Sequence, residues 1–210
     1  MEVFHCGGTT DVEATLLGTV SLRDGETQFS RSRFVGAISK PNTVVGLDEI
    51  NRSGNPKAQA LLLSCMDFQS RLVIDQEDDP ERRVVDVAEG VTFVATANIG
   101  ADYVGTEPLD PALLDRMIKL RLSYSEREPD LLVKAGLAPR NVNRVMKIAR
   151  AIRNSHGSGA LTDTISTRGI LFVAELLEEG FLLEDAFEAV VGVYDDDSRA
   201  ALRAILKVAP

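Results

Sequence analysis

Cysteine and histidine are scarce in this chain of 210 residues, which has two of each. Cys6 and Cys65 stand far apart and outside any metal-ligand spacing, so a reduced, cytoplasmic protein is the simplest expectation. His5 beside Cys6 supplies two ligand-type side chains, and two do not make a metal site; packing in the core or on a strand is expected instead. Long apolar runs are absent too. None approaches the roughly 20 residues needed to span a bilayer, and the first residues do not read as a secretory signal. Internal repeats and low-complexity linkers are likewise missing. Positive charge falls short of negative, with 23 Lys and Arg against 32 Asp and Glu, for a net charge of −9. That balance argues against a surface that coats nucleic acid, although a local basic groove is compatible with it. What is present, 44% hydrophobic and 26% charged residues, suits a folded soluble protein. The length allows one domain, or one domain with a small satellite.

Glu2-Val3-Phe4-His5-Cys6 reads as a short strand stopped by Gly7-Gly8, and Thr9-Thr10-Asp11 as the cap of a short helix carrying Ala14, Leu16 and Leu17. Residues 19–23 and 26–31 flank Asp24-Gly25, a dipeptide suited to a type I′ hairpin turn. Pro41-Asn42 introduces a strand over 43–47 whose unbroken apolar character suits burial on both faces of a parallel sheet. Asn55-Pro56 opens a helix to about Asp67, with Ala58, Leu61, Leu62, Cys65 and Met66 at helical spacing. A second hairpin is expected from 71–74 and 83–87 around the acidic tip 77–81, read as a solvated turn ahead of a pore-facing element. Residues 91–96 form another buried strand ending at Ala97-Asn98. Leu109-Asp110-Pro111 starts a helix through Arg116, and 118–122 alternates as a final strand. After Ser123 the pattern becomes helical. Ser125 and Glu128 have the spacing of a capping box. Val142, Val145, Ile148, Ala149 and Ile152 make one stripe, halted by His156-Gly157-Ser158-Gly159. A second stripe, from Ile170 to Leu177, halts at Gly180, and shorter helices follow around 186–191 and 200–206.

The chemistry concentrates at the ends of the apolar strands, because a parallel strand delivers its last side chains to the carboxyl edge where ligands bind. Thr43-Val44-Val45-Gly46-Leu47-Asp48-Glu49 ends in two carboxylates. Asp48 there suits Mg²⁺ held through its water shell, and Glu49 suits orientation or deprotonation of an attacking water. The alternative is a strand end that faces solvent. Asn98, after the second strand, suits a hydrogen bond to the lytic water or a terminal phosphate; a turn-forming asparagine is its alternative. Arg116 in Leu113-Leu114-Asp115-Arg116 can stabilise transition-state charge, or pair with Asp115 or Asp110. Arg168 in Ser166-Thr167-Arg168-Gly169 begins a helix whose N-terminus favours an anion, or is simply solvated.

Together these residues resemble AAA+ ATPases, specifically the MoxR-like, dynein-related branch. Asp48-Glu49-Ile50-Asn51-Arg52 resembles its Walker B box, and Phe93-Val94-Ala95-Thr96-Ala97-Asn98 its sensor 1 strand. Leu109-Asp110-Pro111-Ala112-Leu113-Leu114-Asp115-Arg116 resembles the arginine-finger helix, and Ser166-Thr167-Arg168 the sensor 2 motif of the lid. Order and spacing of all four agree, and the likeness covers essentially the whole chain. It implies an α/β fold, the three-layer sandwich with a parallel sheet of P-loop nucleotide hydrolases, over residues 1–124, and a helical lid over 125–210. It further implies ATP and Mg²⁺ as cofactors, with Asp48 coordinating Mg²⁺ through water and Glu49 as catalytic base. Asn98 becomes sensor 1, Arg116 a finger reaching a neighbouring subunit, and Arg168 a contact to the γ-phosphate, in cis or in trans. The implied assembly is a ring, usually a hexamer, acting as a remodelling chaperone on protein substrates. A von Willebrand A-domain partner is typical, with neither membrane nor nucleic acid involved. The nearest likeness is to activators of Rubisco and of nitric-oxide reductase.

One obligatory part is not in the sequence. No segment has the form G-x-x-x-x-G-K-[ST], and Gly7-Gly8-Thr9-Thr10 lacks the lysine. The resemblance places the strand that precedes such a loop between the sensor 1 strand and 118–122, so its loss exposes two inner sheet edges. Retention of Asp48, Glu49, Asn98, Arg116 and Arg168 favours a chain truncated at its N-terminus. A non-catalytic subunit lending Arg116 to a partner, or a separate piece that supplies the loop, are the alternatives.

Overall fold

The computed structural model describes all residues except 7–10, 24, 53–55, 100–104, 193–194 and 209–210. The chain divides into two units, Met1–Leu120 and Arg121–Pro210. In chain order the first contains β1 (Glu2–His5), α1 (Val12–Leu16), β2 (Gly18–Arg23), β3 (Glu26–Arg31), α2 (Arg33–Ile38) and β4 (Val44–Asp48). Then follow α3 (Pro56–Met66), β5 (Arg71–Val73), β6 (Val84–Asp86), β7 (Thr92–Ala95) and α4 (Pro111–Asp115). The strands β1, β4 and β7 form a parallel sheet in that order, with β4 central. Its register sets His5 opposite Asp48 and Leu47 opposite Ala95, so the three strand ends align at one edge. The α/β class with a parallel sheet is therefore as expected.

Gly46 is buried on one face of β4, and Val45 and Leu47 are buried on the other, as a strand covered on both faces requires. Val45 and Leu47 share a core with Phe4, Leu16, Phe34, Ile38, Leu62 and Leu72. Phe4 and Phe34 meet edge to face, with ring centroids 5.5 Å apart. Asp11 caps α1 by accepting from the Ala14 N–H at 2.8 Å. The neighbouring Gly7-Gly8-Thr9-Thr10 lies outside the described residues, as does Asp24 of the expected hairpin turn. The hairpin itself forms, with Gly18 opposite Arg31 and Arg23 opposite Glu26. Gly18 cannot be replaced there: its φ is +140° and a Cβ would lie 2.2 Å from the Ser30 carbonyl oxygen.

In the first unit one helix was not expected and two expectations change. Helix α2 is only six residues long, too short for a helical stripe to repeat, although Phe34, Val35, Ala37 and Ile38 are buried while Arg33 and Gly36 are exposed. Ser32 caps it, accepting from the Val35 N–H while donating to the Leu16 carbonyl at 2.8 Å. The final strand over 118–122 does not form. Ile118, Leu120 and Leu122 are 93%, 81% and 89% exposed, since among the described residues no strand lies alongside to pair with them. The acidic tip is only partly solvated. Between β5 and β6, Glu77 is buried, and its carboxylate accepts from Arg31 Nε of the other hairpin at 2.7 Å. Arg83 Nε donates to the Glu77 carbonyl at 2.9 Å, tying the tip inward while residues 78–82 stay exposed.

The second unit is helical: α5 (Glu128–Lys134), α6 (Pro139–Gly157), α7 (Thr167–Glu178), α8 (Leu183–Val191) and α9 (Asp196–Val208). The α6 stripe Val142, Val145, Ile148, Ala149 and Ile152 is buried against Leu132, Ile170, Val173, Ala174, Phe187 and Leu202. Gly159 and Gly180, at φ +78° and +92°, follow the ends of α6 and α7 as stop signals. The capping box does not form. The Glu128 carboxylate turns inward to Arg153, and helix α5 starts at Glu128 with Arg127 as an N-cap that makes no side-chain capping bond. Among the described residues no helix is long and apolar enough to cross a membrane.

Removing one partner from the Arg31–Glu77 pair strands a buried carboxylate. Arg31→Met is expected to lower stability by about 2 kcal/mol in denaturant unfolding. The double change Arg31→Met/Glu77→Met should recover a measurable part of that loss.

Candidate functional site at the sheet edge

The carboxyl edge of the sheet is organised by hydrogen bonds between the ends of β4 and β7. The Thr96 hydroxyl, one residue past β7, donates to Asp48 Oδ1 at 2.6 Å and accepts from the Glu49 N–H at 2.9 Å. Both roles of that hydroxyl are thus assigned. Glu49 adopts φ +54°, a left-handed conformation that is uncommon for a residue with a Cβ. That turn lets Ile50 drop into the core and lets its N–H reach the Thr96 carbonyl at 3.0 Å. Asn51 and Asn98 are joined reciprocally: Asn51 Nδ2 donates to the Asn98 carbonyl at 2.7 Å, and the Asn98 N–H to Asn51 Oδ1 at 3.2 Å. Held in this way, Asn98 directs its Nδ2 to Glu49 Oε1 at 3.2 Å. Arg52 Nε stands 3.4 Å from the same oxygen.

Asp48, Glu49 and Asn98 are therefore one cluster, its two carboxylates partly open to solvent. His5 lies on a strand, at the end of β1, and is largely exposed there, outside the core. Its Nδ1 lies 3.0 Å from Asp48 Oδ2, so Asp48 has a neighbour on each oxygen. The Thr96 hydroxyl, with His5 next in weight, holds the Asp48 carboxyl below its ordinary value of 3.8. Cys6 and Cys65 are buried as expected of core residues, and burial pushes their thiols up to about 11 and about 12, with Asp48 adding to the rise at Cys6. Beside the cluster a groove of about 410 Å³ is lined by Asn51, Asn98, Ile99, Thr106, Leu109 and Leu114. Among the described residues no group of three or more His, Cys, Asp or Glu is arranged to hold a metal ion.

Neither of the two arginines shares in these bonds. Arg116 follows α4, donates to the Ala112 carbonyl at 2.9 Å and pairs with Asp67 at 3.5 Å, neither with Asp115 nor with Asp110. Asp110 is occupied as the α4 cap, accepting from the Ala112 N–H at 2.7 Å. Arg168 belongs to the second unit, as the second residue of α7. It is exposed and has no hydrogen-bond or ion-pair partner among the described residues. Thr96 and Asn51 were not singled out from the sequence as site residues. The available signal was a hydroxyl closing an otherwise apolar strand, and an asparagine that the Ile50 anchor turns back toward the edge.

Thr96→Val removes the strongest influence on Asp48. Its carboxyl should then titrate closer to 3.8, followed by the side-chain carboxyl carbon shift in an NMR titration. The sign follows from linkage: a depressed carboxylate contributes stability that is complete above the ordinary range and lost as pH falls through the depressed value. The variant should therefore lose less stability than the parent as pH falls below the ordinary carboxylate range.

Residues 7–117 match the AAA domain (dynein-related subfamily), and residues 130–209 match the CbbQ/NirQ/NorQ C-terminal family. The chain is 33% identical over 177 residues to "Putative chaperone BssE" of Thauera aromatica, covering 83% of this chain and 59% of that protein. It is 25% identical over 181 residues to "Protein NorQ" of Paracoccus denitrificans (strain Pd 1222), covering 85% of this chain and 64% of that one. The chain thus spans about three fifths of the length of these relatives. With the AAA match extending over more than half of its residues, the chain belongs to the AAA family, in the dynein-related, MoxR-like branch.

Proposed function

We propose that the chain works in ATP binding and hydrolysis by a remodelling or maturation chaperone that assembles as a ring, with residues 1–124 as part of the AAA+ core and 125–210 as its helical lid. The observation that carries this reading is the bonding of Thr96 and Asn98 to Asp48 and Glu49, which holds an acid pair and an amide together at the sheet edge. Support for the chaperone role comes from the relative named as one.

The donor set fits Mg²⁺·ATP. Asp48 is an oxygen ligand whose neighbours favour its ionised form, and with no ring of further ligands among the described residues it suits an ion that retains its waters and binds substrate phosphates. The bound ion would supply charge neutralisation at the phosphates. In this reading Glu49 is the catalytic base, poised by the Asn98 amide, and Asn98 is the sensor that registers the terminal phosphate. Arg116 leaves its partly exposed pairing with Asp67 to serve a neighbouring subunit's site. Arg168, unengaged at the start of α7, contacts the γ-phosphate in cis or in trans. A hexameric ring in the cytoplasm, a von Willebrand A-domain partner and a protein substrate complete the proposal.

A second reading draws on the sequence, in which no G-x-x-x-x-G-K-[ST] segment occurs. In that reading the chain is a non-catalytic subunit that lends Arg116 to a partner. ATP turnover by the protein encoded in the complete reading frame separates the two. The first reading predicts turnover, and a fall of about 10²–10⁴-fold in kcat for Glu49→Gln. An unaffected Glu49→Gln enzyme contradicts it. Absent turnover, combined with a partner ATPase that slows when Arg116→Ala is mixed in, selects the second.

A further inference from the structure

The second unit holds a buried polar network unrelated to its apolar core. The Glu128 carboxylate, 1% exposed, receives both arms of Arg153, Nη1 to Oε2 at 2.7 Å and Nη2 to Oε1 at 2.9 Å. The third guanidinium nitrogen, Nε, donates to the Ile165 carbonyl at 2.9 Å. The Thr167 hydroxyl donates to Glu128 Oε1 at 2.6 Å. The Tyr124 ring covers the guanidinium, its centroid 3.5 Å from Arg153 Cζ. Each of the three guanidinium nitrogens of Arg153 donates a bond, and both oxygens of Glu128 accept.

The network grips one short stretch of chain. Ile165 and Thr167 are two residues apart, and both are held by the same ion pair. Ser166, between them, caps α7 by accepting from the Gly169 N–H at 3.0 Å. Gly169 packs so closely that a Cβ there would meet Ile165 Cγ1 at 2.9 Å. The backbone from 165 to 169 is therefore pinned on both sides of Arg168, whose own side chain is exposed and unengaged among the described residues. Burying an ion pair costs desolvation that an apolar pair of similar volume avoids, so stability alone is a poor reason for one here. Fixing the direction of a neighbouring group is a better one.

We propose that Glu128, Arg153 and Thr167 are positioning residues that fix Arg168 for contact with the terminal phosphate of the nucleotide. This rests on the reading of Arg168 given above. A change at Thr167 should then act on turnover through Arg168 and not through the fold.

The test uses the protein of the complete reading frame and compares Thr167→Val, Thr167→Ser, Arg168→Ala and Thr167→Val/Arg168→Ala in steady-state ATP turnover, with thermal unfolding of each. Thr167→Val should lower kcat roughly ten- to a hundredfold, as expected when a contact group is misplaced, with KM nearly unchanged. Thr167→Ser, which keeps the hydroxyl, should restore it. In the Arg168→Ala background, Thr167→Val should add no further loss. Arg153→Lys, which keeps the charge but loses the fork, gives a second route to the same loss should Thr167→Val fail to fold. Full activity of Thr167→Val beside an impaired Arg168→Ala overturns the proposal, as do additive effects in the double variant. If Arg168→Ala itself turns over normally, the reading of Arg168 fails and the proposal falls with it.

Discussion

The hydroxyl of Thr96 is the hinge on which the candidate site depends. Two parallel strands can align their ends and still leave the side chains beyond them free to wander. Here one hydroxyl donates to Asp48 and accepts from the next backbone N–H, so the end of β4 is locked to the end of β7. The left-handed turn at Glu49 follows from the same bond, as does the burial of Ile50. Asn51 and Asn98 then close a second loop of bonds, and Glu49 receives the Asn98 amide as a consequence. A geometry defined by backbone and short side chains is stiff, which is what positioning a reactive group demands.

Buried ion pairs serve a related purpose away from that edge. Arg31–Glu77 joins two hairpins that share no strand pairing, and Glu128–Arg153 joins α5, α6 and the approach to α7. Both pairs are made by an arginine fork or nitrogen on a nearly inaccessible carboxylate, where solvent screening is weak. Apolar packing supplies most of the cohesion in each unit, while these pairs define which segments face one another.

Much of this was legible in the residues. Strands β4 and β7 stood out as apolar runs, β1 as a short segment stopped by Gly7-Gly8, and the long lid helices because their stripes recur at helical spacing. Asp48, Glu49 and Asn98 were placed at strand ends by the same logic. Other features left no local trace. Helix α2 spans six residues, too few for its buried and exposed faces to repeat as a stripe. Glu77 and Glu128 read as surface acids, a solvated tip and a capping residue, because the arginines that bury them lie 46 and 25 residues away in sequence. The alternation of Ile118, Leu120 and Leu122 reads as a strand, yet a strand needs a neighbour to bond, and none of the described residues provides it.

The central claim is that Asp48, Glu49, Thr96 and Asn98 face a metal-bound nucleotide. Paramagnetic broadening tests it most directly: Mn²⁺·ATP is titrated into the isotopically labelled protein of the complete reading frame, with Mn²⁺ standing in for Mg²⁺. The amides of Glu49, Thr96 and Asn98 should lose intensity first, at concentrations that leave β6 sharp. Broadening that spares those three amides while bleaching another part of the protein would contradict the account.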